Sequence, residues 1–206
     1  MAAEILRATT QHIVIVAVAV LIAAAAGIPI AIAAVRHPRW GRRFLRVIDV
    51  IQTIPSLALF GFLIPLPFIG GIGVRTAIVA LVLYSLLPIV RNTVIGITGI
   101  DPLVREAATV MGMTDRQRLL SVELPLAMPS ILAGLRVATV IAIGVATIGA
   151  AVGGGGLGTL IFRGVAMVDT KRILAGALPA AGLALLADLL FSGVEKLAAR
   201  RWGTAT

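Results

Sequence analysis

IVIVAVAVLIAAAAGIPIAIAAV, residues 13–35, is an unbroken run of uncharged and almost wholly apolar residues. About 20 apolar residues of helix cross the hydrocarbon of a bilayer, and a spanning segment must be helical because its backbone finds no other partners there. The run is too long for a removable signal peptide, and it lacks a basic leader and a small-residue cleavage site. It reads as a mature span. Four more such runs follow along the chain: Val50 to Ile69, a third over residues 74–97, Ile131 to Val152, and Ile173 to Val194. The third is centred on Thr76 to Val90. It holds only 15 uncharged residues between Arg75 and Arg91, but Asn92 to Ile100 is uncharged too. Its helix is therefore expected to continue past Arg91, leaving that side chain to snorkel at a surface. The expected fold is all-α: one polytopic membrane domain over residues 1–206 with five transmembrane helices.

Composition agrees. Of 206 residues 59% are apolar and 13% charged, against 45–50% apolar in a typical soluble domain. Eighteen Lys and Arg against nine Asp and Glu give +9, and the basic residues are segregated between the apolar runs. That segregation fits membrane topology better than nucleic-acid binding. Twelve of them (Arg36, Arg39, Arg42, Arg43, Arg46; Arg91, Arg105, Arg116, Arg118; Lys196, Arg200, Arg201) fall on one side. Five (Arg7, Arg75, Arg163, Lys171, Arg172) fall on the other. Cytoplasmic loops hold the excess, so the N-terminus is expected outside and the C-terminus in the cytoplasm. With no cysteine, disulfides, thiolate metal sites and cysteine nucleophiles are excluded, and His12 and His37 form no metal-ligand pattern.

Between the third and fourth runs, local signals spell two short helices over residues 102–123. Asp101 is a good N-cap and Pro102 suits the first helical position. Leu103 to Met111 reads as helix, and Gly112 is placed to end it in a left-handed conformation. Thr114 to Gln117 matches a capping box that starts a second helix, running to about Glu123. Pro125 and Pro129 are expected to break the chain before the fourth span. Two uses fit such an elbow. It can lie on lipid headgroups as an amphipathic hairpin, or it can offer the small apolar ridge of Ala107, Ala108 and Met111 to a groove on another protein.

Glu106-Ala107-Ala108, three residues, Gly112, nine residues, then Val122-Glu123-Leu124-Pro125 resembles the EAA loop of inner-membrane permease subunits in ATP-binding-cassette importers. Val122 stands where that pattern has Ile. The resemblance implies a type I importer permease fold in a bacterial inner membrane. It also implies that Glu106, Ala107, Ala108, Met111, Gly112, Leu124 and Pro125 couple the chain to a cytoplasmic ATPase. Gly27-Ile28-Pro29, residues 52–61 (QTIPSLALFG) and Leu87-Pro88-Ile89-Val90-Arg91-Asn92-Thr93 are similar to osmoprotectant permeases, as are the stretches 153–158 and 176–180. The implied substrates are glycine betaine, proline betaine, carnitine or choline. The implied partners are ATPase subunits, a second permease chain and an external binding protein, with ATP and magnesium on the ATPase and no cofactor on this chain. Some relatives fuse a binding domain after the last span; only twelve residues follow Val194 here, so a separate binding protein is expected.

Other features carry less. Gly153, Gly155 and Gly158 have the spacing of a dinucleotide fingerprint but follow a membrane helix instead of a strand, which favours an external bend or part of a gate. No G-x-x-x-x-G-K-[ST] is present, so a phosphate cradle must come from a partner. Gln52, Thr53, Tyr84, Asn92, Thr147 and Asp188 are candidates for a translocation path, with Pro29, Pro55 and Pro88 bending helices around it. Equally, polar and small residues are ordinary glue between membrane helices. Asp188 can be a counter-ion for a cationic substrate or pair with a basic group near the cytoplasmic rim. Asp49 is expected to pair with Arg46, Arg136 to snorkel, and Trp40 and Trp202 to anchor at the interface. Aromatic residues are 4% of the chain, too few for a tight cation–π cage. Alternatives are a permease for amino acids such as methionine, or a stand-alone secondary transporter, which needs matched repeats and coupling charges. A membrane enzyme finds no catalytic motif.

Overall fold

Four of the five apolar runs lie within helices long and apolar enough to cross a membrane, and the fifth is bent. The computed structural model describes residues 1–67 and 69–202; Phe68, inside the second run, and residues 203–206 lie outside the described residues. Helix α1 (Ala2–Arg36) takes in the first run and begins eleven residues before it. At 1.5 Å per residue it is about 50 Å long, well beyond the hydrocarbon thickness. Helix α4 (Val74–Thr98) carries the third run and continues past Arg91, as the uncharged stretch after it predicts.

Helix α4 sits at the centre, packed between α1 and α7 (Leu124–Gly149). It buries Ala77, Ala80, Leu81, Tyr84, Ile89, Val90 and Ile97, while α9 (Thr170–Trp202) packs on α7 at the periphery and stays mostly exposed. Close approach comes from small residues. A Cβ on Gly134 would lie 2.8 Å from the Pro88 carbonyl oxygen, so only glycine lets α7 press on α4 there. Without water to squeeze out between helices, such van der Waals contact holds a membrane bundle together. Helix α8 (Gly158–Ala166) joins α7 to α9 through the glycine-rich bend, where Gly153, Gly155 and Gly156 all have positive φ.

The second run differs from expectation. Helix α2 (Pro38–Thr53) starts twelve residues before it and breaks at Ile54-Pro55; α3 (Ser56–Leu63) then leaves at 102° to α2. Pro55 forces Ile54 out of the α-region, to φ −70° and ψ 125°. The Tyr84 hydroxyl takes up the freed Ile54 carbonyl, and in return the Gln52 amide donates at 2.7 Å to the Tyr84 carbonyl of α4, which lacks its helical donor because residue 88 is proline. Eight residues of helix reach only about 12 Å, so α3 alone crosses nothing.

Pro125 and Pro129 do not break the chain. Residues 115–152 form one helical path, in which α6 (Asp115–Arg118) passes through a π-turn (Leu119–Glu123) straight into α7. Leu124 N–H reaches five residues back to the Leu119 carbonyl, and the widened winding places Pro125 in the first turn of the restarted α-ladder, where a missing N–H is tolerated. Pro129 is carried within the same continuous helix. Two charge pairings also differ from expectation. Asp49 pairs with Arg91 of α4 at 2.9 Å instead of with Arg46, and Arg136 does not run free but grips Asp188.

Candidate functional site

Helix α5 (Pro102–Val110) and helix α6 form the elbow, and both ends of its turn are closed by the chain's own atoms. Leu103 N–H donates to the Asp101 carboxylate at 2.9 Å. At the other end Met113 N–H reaches the Ala108 carbonyl at 3.1 Å and Gly112 N–H the Thr109 carbonyl at 3.0 Å. This Schellman ending requires the left-handed residue that Gly112 supplies at φ +79°. The capping box follows: Gln117 N–H donates to the Thr114 hydroxyl at 3.3 Å, and Thr114 N–H donates to the Gln117 side chain at 2.9 Å.

The ridge is not quite the predicted one. Ala108 is 1% exposed and points inward, whereas Leu103, Ala107, Val110 and Met111 line one outer side of α5, with Val110 87% and Met111 68% exposed. Spacing of four, seven and eight residues from Leu103 makes this a continuous helical stripe. Glu106 is exposed beside it, on the edge of a surface hollow shared with Arg105, Thr109, Val110 and Arg118. Leu124 sits behind the elbow against a buried cluster of Ile97, Ala127 and Ile131, and Pro125 is half-buried next to it.

Beneath the elbow lies a group that sequence reasoning missed. Glu123, 4% exposed, lies within ion-pair distance of three arginines: Arg36 at 3.0 Å, Arg118 at 3.4 Å and Arg105 at 3.6 Å. Asp115 joins at the surface, 2.8 Å from Arg118 and 4.0 Å from Arg36. The only available signal was an acid in an apolar Val-x-Leu-Pro setting that is followed by a membrane span, since Arg36 is 87 residues away.

The path candidates fall in separate places. Gln52, Thr53 and Tyr84 meet at the α2–α3 break, where Thr53 bonds back to the Val50 carbonyl at 2.7 Å. Asn92 bonds to the Pro88 carbonyl at 2.8 Å on the face of α4 that packs on Gly134, and Thr147 bonds to the Gly144 carbonyl at 2.7 Å on α7. Asp188 is held by both arms of Arg136, at 2.6 and 2.9 Å, with Glu195 3.6 Å from the same guanidinium. Asp188 is thus paired with a basic group instead of standing as an unpartnered counter-ion, and both partners lie in the middle parts of α7 and α9. Among the described residues no group of three or more His, Cys, Asp or Glu side chains is placed to hold a metal ion.

Comparison with known proteins agrees with this architecture. Residues 23–203 match the family described as binding-protein-dependent transport system inner membrane component. The chain is 46% identical over 193 residues to the glycine betaine/carnitine/choline transport system permease protein OpuCD of Bacillus subtilis, covering 93% of this chain and 83% of the relative. It is 45% identical over 189 residues to the osmoprotectant import permease protein OsmW of Salmonella typhimurium, covering 91% and 88%. Among solved structures, the inward-facing MetNI methionine ABC transporter superposes with a TM-score of 0.87 over 96% of this chain and 97% of that one, at 20% identity. An amino acid ABC transporter superposes at 0.72, also at 20% identity, over 97% and 94%. At such identities these two establish the fold alone. The chain belongs to the family of inner membrane components of binding-protein-dependent transport systems.

Proposed function

We propose that this chain is the permease of an ATP-driven importer for quaternary ammonium osmoprotectants such as glycine betaine, carnitine or choline. The observation that carries the importer reading is the doubly capped elbow with its bare apolar stripe, a rigid projection whose exposed surface lacks a partner within the described residues. The substrate class is supported by relatives of that name at 45–46% identity along nine-tenths of the chain. The methionine alternative has shape similarity on its side, at 20% identity. A stand-alone transporter would need coupling charges, and Asp188 is committed to Arg136.

In this reading two permease chains, identical or homologous, enclose the path, and a cytoplasmic ATPase that holds ATP and magnesium seats against each elbow. A binding protein delivers substrate on the outer face. The N-terminus of α1 lies outside and its last residue, Arg36, on the cytoplasmic side, a reading supported by the pairing of Arg36 with Asp115 and Glu123 at the same end of the bundle as the elbow. ATP binding draws the ATPases together, the elbows follow, and the bundle opens outward to receive substrate; hydrolysis resets it. The elbow transmits work only if the ATPase's ATP-bound form prefers one arrangement of the bundle, because a ligand shifts an equilibrium by no more than its differential affinity.

Selectivity sits with the binding protein. The sole tyrosine, Tyr84, is buried with its hydroxyl committed to Ile54, and Phe60 is fully buried, so neither offers a ring face to a passing cation. The permease then provides a weak, transient path, in which Gln52, Thr53, Asn92 and Thr147 are the polar groups to probe.

Reconstitution of the permease with its ATPase and binding protein in proteoliposomes tests the proposal. ATP-dependent uptake of labelled glycine betaine, carnitine or choline is expected, and none of methionine. Uptake by the permease alone under an ion gradient, or of methionine by the complete assembly, would overturn it.

A further inference from the structure

We propose that Glu123 is a positioning residue whose buried carboxylate fastens the elbow to the bundle, so that displacement of the elbow reaches α1 and α7 together. The inference rests on the elbow being where the ATPase seats.

The two carboxylate oxygens divide the work. Oε2 accepts a hydrogen bond from Arg36 Nη2 at 3.0 Å, and Arg36 is the last residue of α1. Oε1 faces the elbow, with Arg118 Nε at 3.4 Å and Arg105 Nε at 3.6 Å. Each elbow arginine is anchored again: Arg118 donates to the Thr109 hydroxyl at 3.2 Å and to Asp115 at 2.8 Å, and Arg105 donates to the Ile97 carbonyl near the end of α4. One side chain therefore gathers α1, α4, α5, α6 and the start of α7. The backbone that presents it is a π-turn, the winding in which a helix changes register and which frequently marks functional positions.

A merely structural joint would not need this chemistry. A buried charge cluster is no more stable than apolar packing of the same volume, and losing one partner leaves an uncompensated charge. What charges add is a directional linkage that can be remade at a slightly different geometry. The two oxygens differ in that respect. The bundle side is a true hydrogen bond, whereas Nε of Arg105 and of Arg118 make ion pairs without hydrogen-bond geometry. Long-range attraction with slack on the elbow side lets the elbow tilt against the bundle without letting go.

The test uses the complete importer in proteoliposomes, reading substrate moved per ATP hydrolysed in the presence of loaded binding protein, together with the amount of ATPase co-purified. Glu123→Gln keeps shape and removes charge: substrate per ATP should fall about fivefold, with co-purified ATPase unchanged, the size expected for a site that modulates coupling. Glu123→Asp keeps the charge and should recover part of the loss. Arg36→Gln, outside the exposed stripe, should reproduce the defect, and combining it with Glu123→Gln should add little, as for members of one network. An unchanged ratio in Glu123→Gln, or additive losses in the double variant, overturns the proposal. If Glu123→Gln does not assemble, an unchanged ratio in Arg36→Gln overturns it and a lowered one supports it. Should the wild-type elbow fail to bind ATPase at all, the importer reading falls and this inference with it; coupled wild type beside coupled variants removes this inference alone.

Discussion

The elbow and the α2–α3 bend both redirect the chain between two helices, yet they are held by opposite means. The caps that shape the elbow turn link residues two to five apart, from Asp101 with Leu103 to Thr114 with Gln117, and the Arg118–Thr109 bond that ties its two helices spans only nine. The bend is held by Tyr84 and Gln52 across separations of 30 and 32 residues. A turn closed by its own caps keeps its shape when it moves, which suits a lever. A turn closed by the central helix α4 keeps its shape only while it stays put, which suits a fixed wall of the bundle.

Substitutions can break this contrast. The largest effect is expected from Gly112→Val, since a β-branched residue at φ +79° costs about 1–2 kcal/mol and misdirects the second elbow helix. Uptake in proteoliposomes should fall about tenfold while ATP hydrolysis continues and membrane insertion is normal. Unchanged uptake would mean that the elbow's shape does not matter. Tyr84→Phe should come next: loss of the hydroxyl leaves the Ile54 carbonyl unpaired at a cost of about 1–3 kcal/mol. Thermal unfolding in detergent should shift down, with the elbow's hydrogen exchange unaltered.

Asp101→Ala removes the N-cap of α5 for about 1 kcal/mol. Faster hydrogen exchange is expected over the first turn of α5 and nowhere near Tyr84, the mirror image of the previous variant. The smallest effect belongs to Asp49→Asn: its partner Arg91 is 56% exposed, so the pair contributes at most about 1 kcal/mol and less at high salt. A larger shift in melting temperature would show that this surface pair, not Tyr84, fixes α2 against α4.

The same contrast explains what the sequence made legible. Membrane class followed from composition and run length. The elbow was readable almost residue by residue because caps are short-range chemistry, down to the capping box at Thr114 and the left-handed Gly112. Ala108 was misplaced on the outer ridge because the facing of a nine-residue helix depends on what lies beneath it. A bend at Pro55 was legible, but not its 102° angle or the Tyr84 and Gln52 bonds that hold it. The continuity through Pro125 and Pro129 was misjudged because the π-turn that sets Pro125 in a first helical turn leaves no signal in the sequence. Glu123 was invisible as a hub, since its arginines come from three separate segments of the chain. The path residues never formed a single constellation from sequence, and within one chain they do not form one in space.

The proposed seat of the motor protein, the bare stripe of α5, is open to direct crosslinking. The chain contains no cysteine, so a single Val110→Cys substitution gives an unambiguous crosslinking site on that stripe, and Ile72→Cys, 81% exposed in the loop before α4, gives a control at the far end of the bundle. In the assembled importer a short bifunctional reagent is expected to join Val110→Cys to the ATPase and Ile72→Cys to no ATPase. Equal crosslinking at both positions, or none from Val110→Cys in an assembly that transports, would contradict the account.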